Sequence, residues 1–214
     1  MLFFTIIPFI EAICLVTALY FLFKSKMGWW QYFIPFLLLT LAVEIAGYML
    51  YFELNQPNYW IFNIYLPIEV CFVFYVLDKL GKERLAGTIL LWLALLLFLF
   101  IYLKETYESK GLQYSSMANT FASLVVIFFC FIYYYSLLKQ EDYIDLRRHP
   151  DFWVISGLFI FYFGSMGINL FPSQLSQWYL RTGVPVRYTV MLALNLFLYA
   201  CWSYAFIWNY RQSK

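Results

Sequence analysis

Charged residues are scarce in this chain of 214 amino acids, where Asp, Glu, Lys and Arg together make up 12% of the sequence. A soluble globular domain carries about 25% charged residues, so the shortage argues against a soluble protein. The formal net charge is +2 at pH 7, which lacks the strong positive charge typical of nucleic-acid binding. We therefore expect no nucleic-acid partner.

The residues that build metal centres and covalent catalytic sites are also few. His149 is the one histidine, which excludes a zinc site of three histidines. The 4 cysteines lie in apolar segments without zinc-binding spacing, which favours packing roles. Ser165 lies about 24 Å from His149 along one helix, too far for a Ser–His pair. The sequence has no glycine-rich phosphate loop and no lysine in its last apolar segment, where a retinal pigment needs one. We expect no enzyme activity, no metal site and no cofactor.

Apolar sequence is what the chain has in abundance, with 64% hydrophobic and 24% aromatic residues. Seven apolar segments have close to the ~20 residues that cross a membrane as a helix. They cover residues 2–23, 29–52, 59–76, 85–103, 114–138, 152–171 and 184–208. Lipid offers no hydrogen-bond partner to open backbone groups, so each segment is predicted to be helical. The predicted fold class is all-α, a polytopic membrane bundle of seven helices that forms one domain over residues 1–214.

Lysine and arginine are distributed unevenly along the predicted bundle. Of the 14, ten follow the first, third, fifth and seventh apolar segments. The other four are Lys104, Lys110, Arg181 and Arg187. Basic loops stay in the cytoplasm, so the pattern predicts an N-terminus outside and a cytoplasmic C-terminus. The predicted location is a bacterial inner membrane.

Three glutamates, Glu11, Glu44 and Glu69, lie inside the first three apolar segments. A charged carboxylate near the bilayer centre costs roughly 2.5–3.5 kcal/mol on insertion scales, so such residues usually have a function. At ~1.5 Å of rise per residue, these glutamates and Asn195 lie at one depth, roughly 12–16 Å below the outer edge. Asn63, Asn119, Asn169 and Arg187 lie nearer that edge. The pattern predicts a polar cavity that opens outward. Its candidate ligand- or cation-binding residues are Glu11, Glu44, Glu69, Asn195, Asn63 and Arg187.

The polar layer has two interpretations. Burial and mutual repulsion favour a neutral carboxyl at one or more of the glutamates unless a cation is bound, which suits a site for a ligand, a cation or a proton. Alternatively, protonated glutamates hydrogen-bond across helices and only hold the bundle together. Pro8, Pro35 and Pro67 interrupt the same segments, and a proline in a helix frees a carbonyl that needs another partner.

Three stretches carry a family resemblance: residues 63–69 (NIYLPIE), 150–157 (PDFWVISG) and 195–200 (NLFLYA). In these stretches the chain resembles a group of small uncharacterised seven-helix membrane proteins of Bacteroidetes-type bacteria. The resemblance implies a seven-helix fold and no assigned activity. The chain is also similar to the seven-helix sensor portions that precede some bacterial histidine kinases. Six residues follow the last apolar segment here, so signalling is expected to need a separate partner.

We expect a receptor-like or sensory module that binds a small ligand, a cation or a proton in the outward-facing cavity. One alternative is a small proton- or cation-coupled transporter, and another is a structural or assembly subunit of a membrane complex. A transporter needs polar residues in the inner halves of its helices, and their scarcity there favours sensing. Expected partners are the lipid bilayer, the small ligand or cation, and a cytoplasmic signalling protein or a second copy of the chain.

Overall fold

The protein is almost entirely helical in the residues that its computed structural model describes, which are 6–24, 28–81, 85–111, 113–139, 145–183 and 185–213. Those residues contain no strand. The α-helices are α1 Ile6–Leu22, α2 Phe33–Tyr48, α3 Tyr59–Leu80, α4 Leu85–Ser109, α5 Ser116–Leu138, α6 Pro150–Leu170, α7 Pro172–Thr182 and α8 Val186–Gln212. A 3₁₀ turn, Gly28–Tyr32, precedes α2, and a π turn, Met49–Glu53, follows it. The predicted all-α class is confirmed.

Six helical segments are long and apolar enough to cross a membrane, which indicates a multi-pass membrane protein. They are Gly28–Glu53, Tyr59–Leu80, Gly87–Ser109, Ser116–Leu138, Pro150–Leu170 and Val186–Gln212. Helix α1 is also apolar, but its described part has only 17 residues. The first four residues of the predicted first segment, 2–5, lie outside the described residues.

Helix α4 and the loop before α8 differ from the sequence-based expectation. Helix α4 continues six residues past the predicted end at Leu103, into a stretch of charged residues. Lys104 pairs with Glu108 at 3.8 Å. Glu105 accepts hydrogen bonds from the first turn of α5, at 3.1 Å from Met117 N and 3.0 Å from Ala118 N.

The loop predicted between the last two membrane helices contains α7, whose N-terminal proline suits a first helical turn.

Successive helices from α1 to α6 pack against one another, and α8 closes the bundle between α1 and α6. The contact between α6 and α8 is the most extensive in the described chain. Two glycines of α6 allow this contact. A Cβ added at Gly157 would lie 3.1 Å from Cys201 Cβ, and one added at Gly164 would lie 2.5 Å from Leu194 Cδ2. Small residues let membrane helices approach closely.

The helices alternate in direction, so the bundle has two distinct ends. We call the end where α1, α3, α5 and α8 begin the glutamate end, because the three glutamates lie toward it. The opposite end, where α4 and α6 begin, is called the histidine end after His149. A layer of buried apolar residues lies between them and includes Val73, Leu77, Ile155 and Leu158.

Candidate functional site

The three glutamates line one cavity of about 450 Å³ at the glutamate end, which we call the glutamate cavity. Helices α1, α2, α3, α6 and α8 contribute to it, together with the chain around the start of α5. Its polar lining residues are Glu11, Thr40, Glu44, Tyr59, Tyr65, Glu69, Tyr114, Tyr162, Ser165, Asn119, Asn169, Arg187, Asn195 and Tyr199. Residues far apart in sequence therefore meet because the helices pack as a closed bundle.

Glu11 is the most deeply buried of the three glutamates, with 1% of its surface exposed. Tyr199 of α8 donates a hydrogen bond from Oη to Glu11 Oε1 at 3.1 Å. The other carboxyl oxygen, Oε2, is buried and has no hydrogen-bond partner among the described residues. A buried polar atom without a partner costs about 1–3 kcal/mol, so Oε2 is an unsatisfied hydrogen-bond acceptor in the wall of the cavity.

Glu69 and Glu44 are only partly buried, because their side chains border the cavity. Tyr162 of α6 donates a hydrogen bond to Glu69 Oε1 at 2.9 Å. The tyrosine itself is buried, with 3% of its surface exposed, so its hydroxyl holds the carboxyl in a defined position. Two of the three carboxyls are thus oriented by tyrosines from other helices.

Thr40 and Tyr65 form a second polar pair in the lining. Their hydroxyl oxygens lie 2.6 Å apart, and Thr40 donates its own proton to the carbonyl of Phe36 at 3.0 Å. Because a threonine hydroxyl has one proton, Tyr65 is the donor between the two side chains. This bond links α2 to α3 one helical turn before Glu69 and keeps the phenol of Tyr65 at the cavity wall.

Asn195 and Arg187 reach the cavity from α8, at different depths. Asn195 is buried, and its amide donates to the carbonyl of Met191 on its own helix at 2.9 Å. Arg187 is exposed and lies in the first turn of α8. It is the one lysine or arginine among the described lining residues, so the deeper part of the cavity, with its carboxyls, contains no basic side chain.

Asn63 is the one predicted site residue that the structure does not bring to this lining. It is buried under the start of α5, where its Nδ2 donates to Gln113 O at 2.8 Å and its Oδ1 accepts from Ser115 N at 3.0 Å. Its backbone carbonyl is the one that Pro67 frees, and Tyr102 of α4 donates to it at 2.9 Å. Asn63 and Pro67 therefore join helices, and the freed carbonyl has a protein partner.

Tyrosines are the site residues that the sequence did not single out. The chain has 20 of them, so their composition gives no signal. A positional signal does exist, since Tyr65 precedes Glu69 by four residues and Tyr199 follows Asn195 by four. Residues four apart lie on one helix face, which would have assigned both tyrosines to the polar side of their helices.

The donor set fits an organic cation better than a bound metal ion. Among the described residues, no group of three or more histidine, cysteine, aspartate or glutamate side chains is arranged to hold a metal. The walls instead include the aromatic rings of Phe36, Phe161 and Trp202. Aromatic faces attract ammonium groups, and carboxyl oxygens accept their hydrogen bonds.

No family model, curated protein or solved structure matches the chain. The resemblance to Bacteroidetes-type seven-helix proteins therefore stays a prediction, and the geometry of the glutamate cavity is the basis for a functional proposal.

Proposed function

We propose that this protein is a receptor-like membrane module that binds a small organic cation in the glutamate cavity. The observation that carries the proposal is Glu11, a buried carboxyl with one oxygen held by Tyr199 and the other, Oε2, without a partner beside a cavity of about 450 Å³. Oε2 is not itself exposed to the cavity, so an ammonium group there would pair with it after the Glu11 side chain rotates toward the ligand.

Charge and shape support the same ligand class. Three carboxyls line the cavity, and Arg187 is their one basic counterpart among the described lining residues. Because Arg187 is exposed at the start of α8, it leaves the deep part of the cavity suited to a cation. A polar layer with only a packing role would need no cavity beside its carboxyls, so the open volume favours binding over that alternative.

The direction of binding follows from the basic residues. With the N-terminus outside, the glutamate cavity opens away from the cytoplasm of a bacterial inner membrane. A green fluorescent protein fused after Lys214 tests this orientation, because the fusion fluoresces only if the C-terminus is cytoplasmic. In this orientation a bound ligand signals through a cytoplasmic partner or a second copy of the chain.

Ligand binding is testable by thermal unfolding of the purified protein in detergent, with choline and putrescine as probes and glucose as an uncharged control. We expect one or both cations to raise the unfolding midpoint, since a ligand at 100 times its Kd stabilises the folded state by about 2.7 kcal/mol. Glu11→Gln should remove that shift, whereas Glu108→Gln, an exposed change at the same end, should keep it. An equal shift in Glu11→Gln and the unmodified protein would falsify the proposal.

Transport is the second candidate, and a specific observation favours it. Another polar cavity lies at the histidine end, and lining residues of the two cavities follow one another on α3 and α6. Val73 borders the glutamate cavity, and Leu77, four residues on, borders the other, a separation of about 6 Å along the helix. The inner half is therefore less apolar than the sequence indicated.

Flux into proteoliposomes distinguishes the two candidates. A transporter should move radiolabelled choline or putrescine into vesicles faster than empty vesicles take it up, and Glu11→Gln should abolish the difference. A receptor should bind the probe in the thermal assay and give no flux above that of empty vesicles.

A further inference from the structure

The cavity at the histidine end has a volume of about 520 Å³ and is bordered by α3, α4, α5 and α6. We call it the histidine cavity. Its polar lining residues are Asp78, Thr88, Tyr133, Ser136, His149 and Asp151. None of them borders the glutamate cavity.

Among the described lining residues of this cavity, Tyr133 has the one buried polar side-chain atom without a hydrogen-bond partner. The side chain is 8% exposed and borders the cavity, and its hydroxyl is buried with no hydrogen-bond partner among the described residues. Nearby polar residues have partners: Thr88 donates to Asp78 Oδ1 at 2.7 Å, and Ser136 donates to the carbonyl of Tyr133 at 2.7 Å. The hydroxyl is not itself exposed to the cavity, so a ligand pairs with it once the phenol turns toward the cavity. Such a pair would remove the cost of leaving the hydroxyl unsatisfied.

The lining offers acceptors and donors side by side. Asp78 and Asp151 supply carboxylates, and no lysine or arginine is among the described lining residues. His149 Nδ1 accepts a hydrogen bond from Phe152 N at 3.4 Å, so the neutral ring carries its proton on Nε2. A ligand that fits has an ammonium group for the carboxylates and an anionic group for the His149 N–H and the Tyr133 O–H.

The apolar walls indicate where such a ligand comes from. Leu90 of α4 and Ile132 of α5 border the cavity and are 44% and 37% exposed, on apolar helices whose outer faces would contact lipid chains. Leu91 and Phe98 are the buried hydrophobic residues of α4 among those described, so this helix has the widest exposed apolar face. The cavity thus adjoins the lipid-facing surface between α4 and α5.

We propose that the histidine cavity binds the headgroup of an ethanolamine phospholipid, which enters between α4 and α5. The ammonium group donates to Asp78 and Asp151, and the phosphate accepts from Tyr133 and His149. The acyl chains remain along Leu90 and Ile132, at the apolar surface.

Native mass spectrometry of the detergent-purified protein tests this proposal with phosphatidylethanolamine, phosphatidylcholine and phosphatidylglycerol at equal concentrations. We expect phosphatidylethanolamine to be retained most strongly, since phosphatidylcholine lacks N–H donors and phosphatidylglycerol lacks the positive charge. The double variant Asp78→Asn/Asp151→Asn should lower its retention roughly tenfold or more, as expected when charged hydrogen bonds are lost. Tyr133→Phe should lower it by a smaller factor.

Controls separate binding from folding. Asparagine at position 78 keeps an oxygen that accepts from Thr88, so the helical circular dichroism signal should not change. Asp145→Asn removes an exposed carboxylate at the same end, outside the lining, and should leave lipid retention unchanged. The proposal is wrong if the three lipids are retained equally, or if the double variant binds like the unmodified protein. It is also wrong if soluble glycerophosphoethanolamine binds as tightly as the lipid.

Discussion

The two cavities of this bundle contain acidic residues of similar number but hold them in different ways. In the glutamate cavity, Glu11 and Glu69 each accept a hydrogen bond from a tyrosine on a distant helix, Tyr199 or Tyr162. In the histidine cavity, Asp78 accepts from Thr88 only ten residues along the chain, on the neighbouring helix. The first arrangement depends on the whole bundle being closed, and the second on one pair of adjacent helices.

The difference follows from how tightly the helices pack around each cavity. Helix α8 contacts both α1 and α6, and glycines allow the close approach to α6. Helix α4 is mostly exposed to its surroundings and borders only the histidine cavity. The cavity with tyrosine-bound carboxyls therefore lies beside closely packed α8, and the cavity that adjoins the apolar surface lies beside exposed α4. Four measurements test this contrast.

The largest effect is expected at Gly157, on α6 between the two cavities. Gly157→Leu places a side chain where even a Cβ would lie 3.1 Å from Cys201 Cβ, so the variant should lose about 3 kcal/mol of unfolding free energy. Gly167 has open space around its Cα, and Gly167→Ala should be neutral or stabilise by up to about 1 kcal/mol. Denaturant titration in mixed micelles measures both, and equal values would contradict tight packing at Gly157.

Tyr102→Phe should rank second, with a loss of about 1–3 kcal/mol, because it removes the partner of the Asn63 carbonyl that Pro67 frees. Restoring a backbone N–H with Pro67→Ala gives that carbonyl a new partner within α3. The double variant should therefore be more stable than the sum of the two single effects predicts. Additive effects would show that the freed carbonyl does not depend on Tyr102.

Tyr162→Phe and Tyr134→Phe compare hydrogen-bonded tyrosine hydroxyls at the two ends, the first buried and the second partly buried. Tyr162 bonds to Glu69 across the bundle, and Tyr134 bonds to Ser156 of the adjacent helix at 3.0 Å. We expect a loss of about 1–1.5 kcal/mol for the first variant and about 0.5 kcal/mol for the second, since bonds to carboxyls are the stronger. The same titration checks the order, and a larger loss for Tyr134→Phe would reverse the contrast between the two ends.

Surface ion pairs should give the smallest effect, and an equal one at both ends. Lys104 and Glu108 at the glutamate end are 64% and 65% exposed, and Arg148 and Asp145 at the histidine end are 68% and 44% exposed. Lys104→Ala and Arg148→Ala should each change the unfolding free energy by less than about 0.5 kcal/mol. A large effect at only one end would mean that surface charge, and not buried packing, distinguishes the two ends.

Much of the glutamate cavity was predictable because depth in a membrane helix depends on position in the chain. The rise per residue brought Glu11, Glu44, Glu69 and Asn195 to one layer, and the structure places all four in one lining. Rotation about the helix axis was not predictable to the same degree. Asn63 has a suitable depth but faces the start of α5, because its amide pairs with the backbone there.

The helical membrane class was determined by the sequence alone. Lipid offers no hydrogen-bond partners, so the backbone of a long apolar segment must form its hydrogen bonds within a helix. The partners of the polar groups were decided only by the tertiary structure. Tyr199 meets Glu11 across 188 residues of chain, and Tyr133 meets no partner at all among the described residues. Such pairings depend on how whole helices pack together, and the local sequence does not determine which helix faces will contact each other.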